Sequence, residues 1–170
     1  MMLVRILAGL YLFDEPLQIA SAHRLATSFE QFRTIVSMIE ANDSLAKQVK
    51  RIYWSHGAEE IQMLNGNRFM IKAGGSSARG VSKPETVYLD ELREMHDLES
   101  FASLRYTLLA AKNPQVLGFS SAGDQHSTIL NSLRDRAIAA NGGAVDDAAY
   151  FEWSSPTEEL TLENAAFANP

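Results

Sequence analysis

An α/β fold with a mostly parallel sheet is what this 170-residue chain predicts, and three observations carry that reading. Apolar runs of strand length alternate with segments of helical periodicity, the pattern of a sheet covered by helices. Two of the runs end in chemistry-bearing loops: Glu85-Thr-Val-Tyr-Leu-Asp-Glu91 closes on adjacent carboxylates, and Pro114-Gln-Val-Leu-Gly-Phe-Ser-Ser-Ala-Gly123 closes on a small, hydroxyl-rich loop. One tight hairpin signal, Asn65-Gly66-Asn67, interrupts the alternation; Asn and Gly tolerate the positive φ that such a turn needs.

The elements follow in order. Residues 2–13 are apolar nearly all round, as in a helix packed between a sheet and other elements, and Asp14-Glu15-Pro16 breaks them. Residues 17–22 read as a short buried strand ending in Ser21-Ala-His-Arg24. Thr27 or Ser28 is a candidate cap for the next helix, whose stripe is Phe29, Phe32, Ile35, Val36 and Ile39. Asn42-Asp43-Ser44 ends that helix and caps a short one at 45–49. Residues 51–56 read as a strand, and 60–64 and 68–72 as the arms of the hairpin. A Gly/Ser-rich loop spans 73–80, before the strand at 87–89. A helix at 98–111 ends at Asn113-Pro114, a strand covers 115–119, and a helix at 127–140 has Ile129, Leu130, Leu133, Ala137 and Ile138 as its inward stripe. Residues 148–153 are a last strand candidate. The division expected is a partial domain at 1–153 and a polar, acidic connection at 154–170.

Composition narrows the class. A hydrophobic fraction of 46% with 21% charged residues is that of an ordinary globular domain, long enough to bury a core. A net charge of −6 argues against a generally basic nucleic-acid surface and gives no support for a local one. Arg24, Arg33, Lys47, Lys50 and Arg51 make a mildly basic stretch, read first as solvated surface and second as a DNA contact. The absence of cysteine rules out disulfides and thiolate metal sites. The apolar start lacks a basic leader region, is interrupted by Arg5 and is too short to span a bilayer; a cytoplasmic protein is expected.

Three places carry chemistry. Asp90 at a strand end can hold Mg²⁺, directly or through water, while Glu91 orients or deprotonates an attacking water; the plain alternative is a solvated acidic pair at a helix start. Ser120, Ser121 and Gly123 can meet a γ-phosphate with hydroxyls and backbone amides, or simply form a strand-to-helix turn. Arg79, in the Gly/Ser-rich loop, can neutralise transition-state charge on a neighbouring subunit's nucleotide, or be a solvated charge. His23, His56, His96 and His126 show no metal-ligand spacing, and no G-x-S-x-G elbow is present.

The ordered set resembles the ATPase domain of tailed-phage terminase large subunits. It comprises Ala20-Ser-Ala-His-Arg24, Gly74-Gly-Ser-Ser-Ala-Arg-Gly80, Val87-Tyr-Leu-Asp-Glu91, Ser120-Ser-Ala-Gly123, Ala149-Tyr-Phe-Glu-Trp-Ser154 and Ala168-Asn-Pro170. Val87–Glu91 looks like a Walker B motif with its catalytic glutamate. The resemblance implies a three-layer P-loop NTPase-like sheet, incomplete at its N-terminal side, that works with ATP and Mg²⁺. It implies that Asp90 assists Mg²⁺ through water, that Glu91 activates water, that Arg79 is an arginine finger in cis or in trans, and that Ser120–Gly123 couples hydrolysis to DNA movement. Double-stranded DNA, a portal protein, a small terminase subunit and homo-oligomeric neighbours are its implied partners. The chain departs from the family in lacking G-x-x-x-x-G-K-S/T and a nuclease segment, so a fragment, split gene product or prophage remnant with weak ATP binding is expected. Two other readings stand beside this one: a non-catalytic assembly module or relic, and another P-loop ATPase such as a helicase-like protein.

Overall fold

The computed structural model describes residues 1–22, 25–55, 59–73, 83–155, 157, 159 and 161–168. It forms two compact units, Met1–Leu130 and Asn131–Pro170. The described part of the first unit runs α1 (Met2–Tyr11), β1 (Leu17–Ala22), α2 (Leu25–Glu40), α3 (Asp43–Ala46), β2 (Val49–Tyr53), β3 (Glu60–Met63), β4 (Arg68–Ala73), β5 (Thr86–Asp90), a 3-10 turn at Leu92–Glu94, α4 (Leu98–Leu108) and β6 (Gln115–Gly118), and it holds the start of α5 (Thr128–Asn141). The strands form one open mixed sheet in the order β2-β3-β4-β1-β5-β6. β1 lies between β4 and β5 and is parallel to both, β6 is parallel to β5, and β2-β3-β4 is an antiparallel meander. The α/β, mostly parallel sheet expected from the alternation is therefore present.

Strand chemistry explains the arrangement. Thr86 to Leu89 are all buried, as parallel strands covered on both faces must be. On one face Ala20, Phe69, Ile71 and Tyr88 join Ile6 and Leu10 of α1 and Phe32, Ile35 and Ile39 of α2 in a single apolar core. Phe32 stacks on Phe69 with ring centroids 6.2 Å apart.

The hairpin turn between β3 and β4 has a second task. Gly66 takes φ +94°, the conformation the turn demands. Asn67 Nδ2 then donates to the carbonyls of Gly9, Leu10 and Phe13 at 3.1, 3.2 and 3.0 Å, satisfying acceptors that the end of α1 leaves open.

Arg5 does more than interrupt an apolar run. Its guanidinium grips both oxygens of Glu15, and it donates to Tyr88 Oη at 3.2 Å and to Gln115 Oε1 at 3.0 Å. Tyr88 Oη in turn donates to Gln18 Oε1 at 2.7 Å. This network ties α1 to β1, β5 and β6. Gly9 leaves room beside it for the ends of Gln18 and Glu15, which a Cβ there would push aside.

Burial pushes the Tyr88 hydroxyl well above the ordinary phenol range. The folded chain therefore holds this proton longer than the unfolded chain does. The corresponding stability is complete below about pH 10 and is lost as pH rises beyond it, at about 1.4 kcal/mol per pH unit. Urea melts at about pH 9 and about pH 11 on the wild type and on Tyr88→Phe check this: the substitution is expected to flatten that part of the slope.

Several boundaries differ from expectation for identifiable reasons. α2 begins at Leu25, so Thr27 and Ser28 lie inside it, and Ser28 is fully buried on its inward side instead of capping it. α3 begins at Asp43, with Asn42 Oδ1 accepting from the Ser44 and Leu45 amides at 3.0 and 3.3 Å. In α5, Ile129 and Ala137 are buried but Ile138 is 44% exposed. A helix turns about 100° per residue, which puts a residue nine places on from Ile129 on the opposite side.

In the second unit, Gly143 takes φ +100° and closes α5, its amide bonding to Ala140 O at 3.0 Å. Residues 148–153 form no strand. Side chains hold them instead: Arg134 donates to Tyr150 Oη at 3.0 Å and to Glu152 Oε2 at 3.1 Å, and Phe151 stays 77% exposed. Residues 154–170 include α6 (Leu162–Ala168). No helix among the described residues is long and apolar enough to cross a membrane.

Candidate functional site

Parallel strands bring their carboxyl ends to one edge of the sheet, where open α/β sheets place their ligands. Ala22 of β1 and Asp90 of β5 are register partners at that edge. Asp90 lies on the face that α2 covers, and its Oδ2 accepts a close hydrogen bond from Gln31 Nε2. Gln31 Oε1 and Ser28 Oγ, one helical turn apart on α2, are buried without a hydrogen-bond partner among the described residues. Buried polar atoms of this kind are uncommon, because each forfeits its bonds to water.

Glu91 follows in the left-handed conformation, φ 50° and ψ 47°. For a residue with a Cβ this costs about 1–2 kcal/mol, and such strain clusters at functional sites. Its carbonyl accepts from the Glu94 amide at 2.9 Å, which starts the 3-10 turn, and its side chain is exposed. The left-handed step turns the chain sharply at the strand end, so that Asp90 stays braced against α2 while Glu91 faces solvent.

The loop after β6 is bonded to this turn. Leu92 N donates to Phe119 O at 3.1 Å, and Arg93 N donates to Ser120 Oγ at 3.1 Å. Gly118 lets the two approach, since a Cβ there would lie 2.9 Å from Leu92 Cδ2. Asp90, Glu91 and Ser120 are thus brought to one place. Ser121 is exposed beside them. Gly123 lies at the entry to α5, where a Cβ would be 2.8 Å from Ser127 Oγ. Asp124 orders that entry: its Oδ1 accepts from the His126 amide at 2.7 Å, and this bond holds the carboxyl below the usual range.

Arg79 and residues 74–80 of its Gly/Ser-rich loop, together with His23, Arg24 and His56, lie outside the described residues. Among the described residues no three His, Asp or Glu side chains gather as a metal site. A single carboxylate at a strand end, as Asp90 is, is compatible with Mg²⁺ in a different way. This ion keeps several waters and takes only one or two carboxylates when substrate phosphates supply other ligands. Gln31 escaped the sequence reading. The signal for it was the polar pair Ser28 and Gln31, set at i and i+3 on the otherwise apolar inward side of the helix.

The mixed, mostly parallel sheet with its helices defines an α/β protein, and the particular fold within that class is the one seen in phage large-terminase ATPase domains. The crystal structure of the HK97 bacteriophage large terminase superimposes with a TM-score of 0.78 at 20% identity, over 99% of this chain and 36% of that one. The ATPase domain of a Thermus phage large terminase matches with a TM-score of 0.55 at 12% identity, over 73% of this chain and 55% of that one. A large terminase from a thermophilic bacteriophage matches with a TM-score of 0.56 at 12% identity, over 79% of this chain and 34% of that one. The chain thus spans about a third to a half of these proteins' lengths. At such identities the likeness establishes the fold. No protein-family model matches the sequence, and no curated protein matches it.

Proposed function

We propose that this chain forms part of the ATP-hydrolysing domain of a DNA-packaging motor of a tailed phage or prophage. The observation that carries this is the strand end of β5, where one carboxylate is braced by Gln31 and the next is held in a strained left-handed turn. The fold shared with large terminases supports the same reading. On this reading Glu91 orients and deprotonates the attacking water, and Asp90 holds Mg²⁺ through a water molecule. Mg²⁺ supplies charge neutralisation on the phosphates. Ser120, bonded to the Arg93 amide, passes a change at the Glu91 turn to the loop before α5. Because the sequence has no G-x-x-x-x-G-K-S/T segment, a phosphate-binding loop from elsewhere completes the site, and the chain alone hydrolyses ATP negligibly. Duplex DNA, a portal, a small terminase subunit and neighbouring copies belong to the same proposal.

The test is the Mg²⁺ dependence of ATP hydrolysis in the protein that joins this segment to a phosphate-binding loop. Asp90→Asn is expected to raise the half-saturating Mg²⁺ concentration about tenfold or more, as loss of an indirect ligand does. An unchanged Mg²⁺ requirement in Asp90→Asn would remove the support for this assignment.

A further inference from the structure

The meander β2-β3-β4 buries one face against α1 and α2, and alternation sends the other set of side chains outward. Register places Arg51, Gln62 and Arg68 in one row across the three strands, and Tyr53 and Glu60 in the next; Lys72 follows Arg68 two places on along β4. Arg51 is exposed, and Tyr53, Gln62, Arg68 and Lys72 are half-buried. Glu60 is already engaged, accepting from Gln62 at 2.9 Å and from Arg68 at 3.3 Å. The Arg51 guanidinium lies 4.4 Å from the centre of the Tyr53 ring, and neither Arg51 nor Lys72 forms an ion pair among the described residues. This face therefore carries three cations against one satisfied carboxylate, in a chain whose net charge is −6.

A polyanion complements such a face. Arg51 and Arg68 stand two strands apart, about 10 Å, so they address successive points along a charged chain and do not converge on one phosphate. Arg51 lies over one face of the Tyr53 ring and takes it from base stacking; binding of single strands rests largely on such stacking. We infer that the outer face of β2-β3-β4 holds the phosphate backbone of duplex DNA. This deepens the motor reading by locating the duplex, and it rests on that reading only for the choice of DNA over RNA.

The experiment is fluorescence anisotropy of a labelled random-sequence DNA duplex titrated with the 170-residue chain over a range of salt. With three phosphate contacts, log K is expected to fall against log salt with a slope of about −3. Arg51→Glu with Lys72→Glu is expected to weaken binding at least tenfold and to reduce that slope by about 2. Arg105→Glu, exposed on α4, is expected to leave both unchanged. Circular dichroism confirms the fold of each variant, and Arg51→Gln with Lys72→Gln replaces the reversals if they unfold the chain. Binding that is absent, that is insensitive to both pairs of substitutions, that Arg105→Glu weakens equally, or that is tighter for single strands than for the duplex overturns the inference. Hydrolysis variants at Glu91 do not enter this assay, so failure here leaves the motor reading standing, and failure there leaves this face standing.

Discussion

Glu91→Gln, in the protein that joins this segment to a phosphate-binding loop, is expected to lower kcat for ATP hydrolysis by about 10²–10⁴-fold while leaving ATP binding nearly unchanged. That is roughly 3–5 kcal/mol of transition-state stabilisation. The amide keeps the size and hydrogen-bonding reach of the carboxylate but cannot take a proton. An effect on kcat without one on KM is the mark of an interaction made in the transition state. Glu91→Gly separates chemistry from backbone. The wild-type residue sits at φ 50°, a strain of about 1–2 kcal/mol that glycine relieves, partly offset by the larger entropy glycine brings to the unfolded chain. Glu91→Gly is therefore expected to lose as much activity as Glu91→Gln while its stability in urea is equal to the wild type or up to about 1 kcal/mol higher. A loss of stability in Glu91→Gly would mean that the carboxylate is structural. Undiminished hydrolysis in Glu91→Gln would end its assignment as the water-activating group.

This pairing of strain with a carboxylate was half legible in the sequence. The buried strand and the acids that close it follow from an apolar run and its end, as the hairpin follows from Asn65-Gly66-Asn67. These are local signals, and each sits within a few residues of the structure it specifies. The brace on Asp90 is different. Gln31 lies 59 residues away in the chain, and only the packing of α2 on the sheet brings the two together. The outer face of β2-β3-β4 was half visible too. Lys50 and Arg51 stood out as a basic run, but Arg68 and Lys72 join Arg51 only through cross-strand register. The strand expected at 148–153 failed for the converse reason. Its aromatic residues have strand propensity, but propensity yields to context, and here Arg134 holds Tyr150 and Glu152 with side-chain bonds.

Arg5→Ala is expected to cost about 2–4 kcal/mol of folding stability, somewhat below the scale for breaking a fully buried ion pair because this pair is part-buried. Glu15 is the member left behind, with its side chain only 11% exposed. The same substitution strips a donor from Tyr88 Oη and another from Gln115 Oε1, two groups held by strands on the far side of β1 from the hairpin. Because those partners lie 83 and 110 residues from Arg5, the loss loosens contacts that close long loops, and among the described residues these are the polar contacts that hold α1 to β5 and β6. Urea denaturation measures the fall in the midpoint. The cause is separable from simple truncation. Arg5→Met with Glu15→Gln removes both charges while keeping most of the volume, and it is expected to recover about half or more of the loss, since replacing a whole buried pair is far milder than breaking it. If the double variant is as unstable as Arg5→Ala, the cost lies in lost packing of the arginine stem on Phe13, whose ring centre is 4.9 Å from the guanidinium carbon. If Arg5→Ala is within about 0.5 kcal/mol of the wild type, the typical range for a surface change, then the pair is solvated and α1 is held by its apolar face alone.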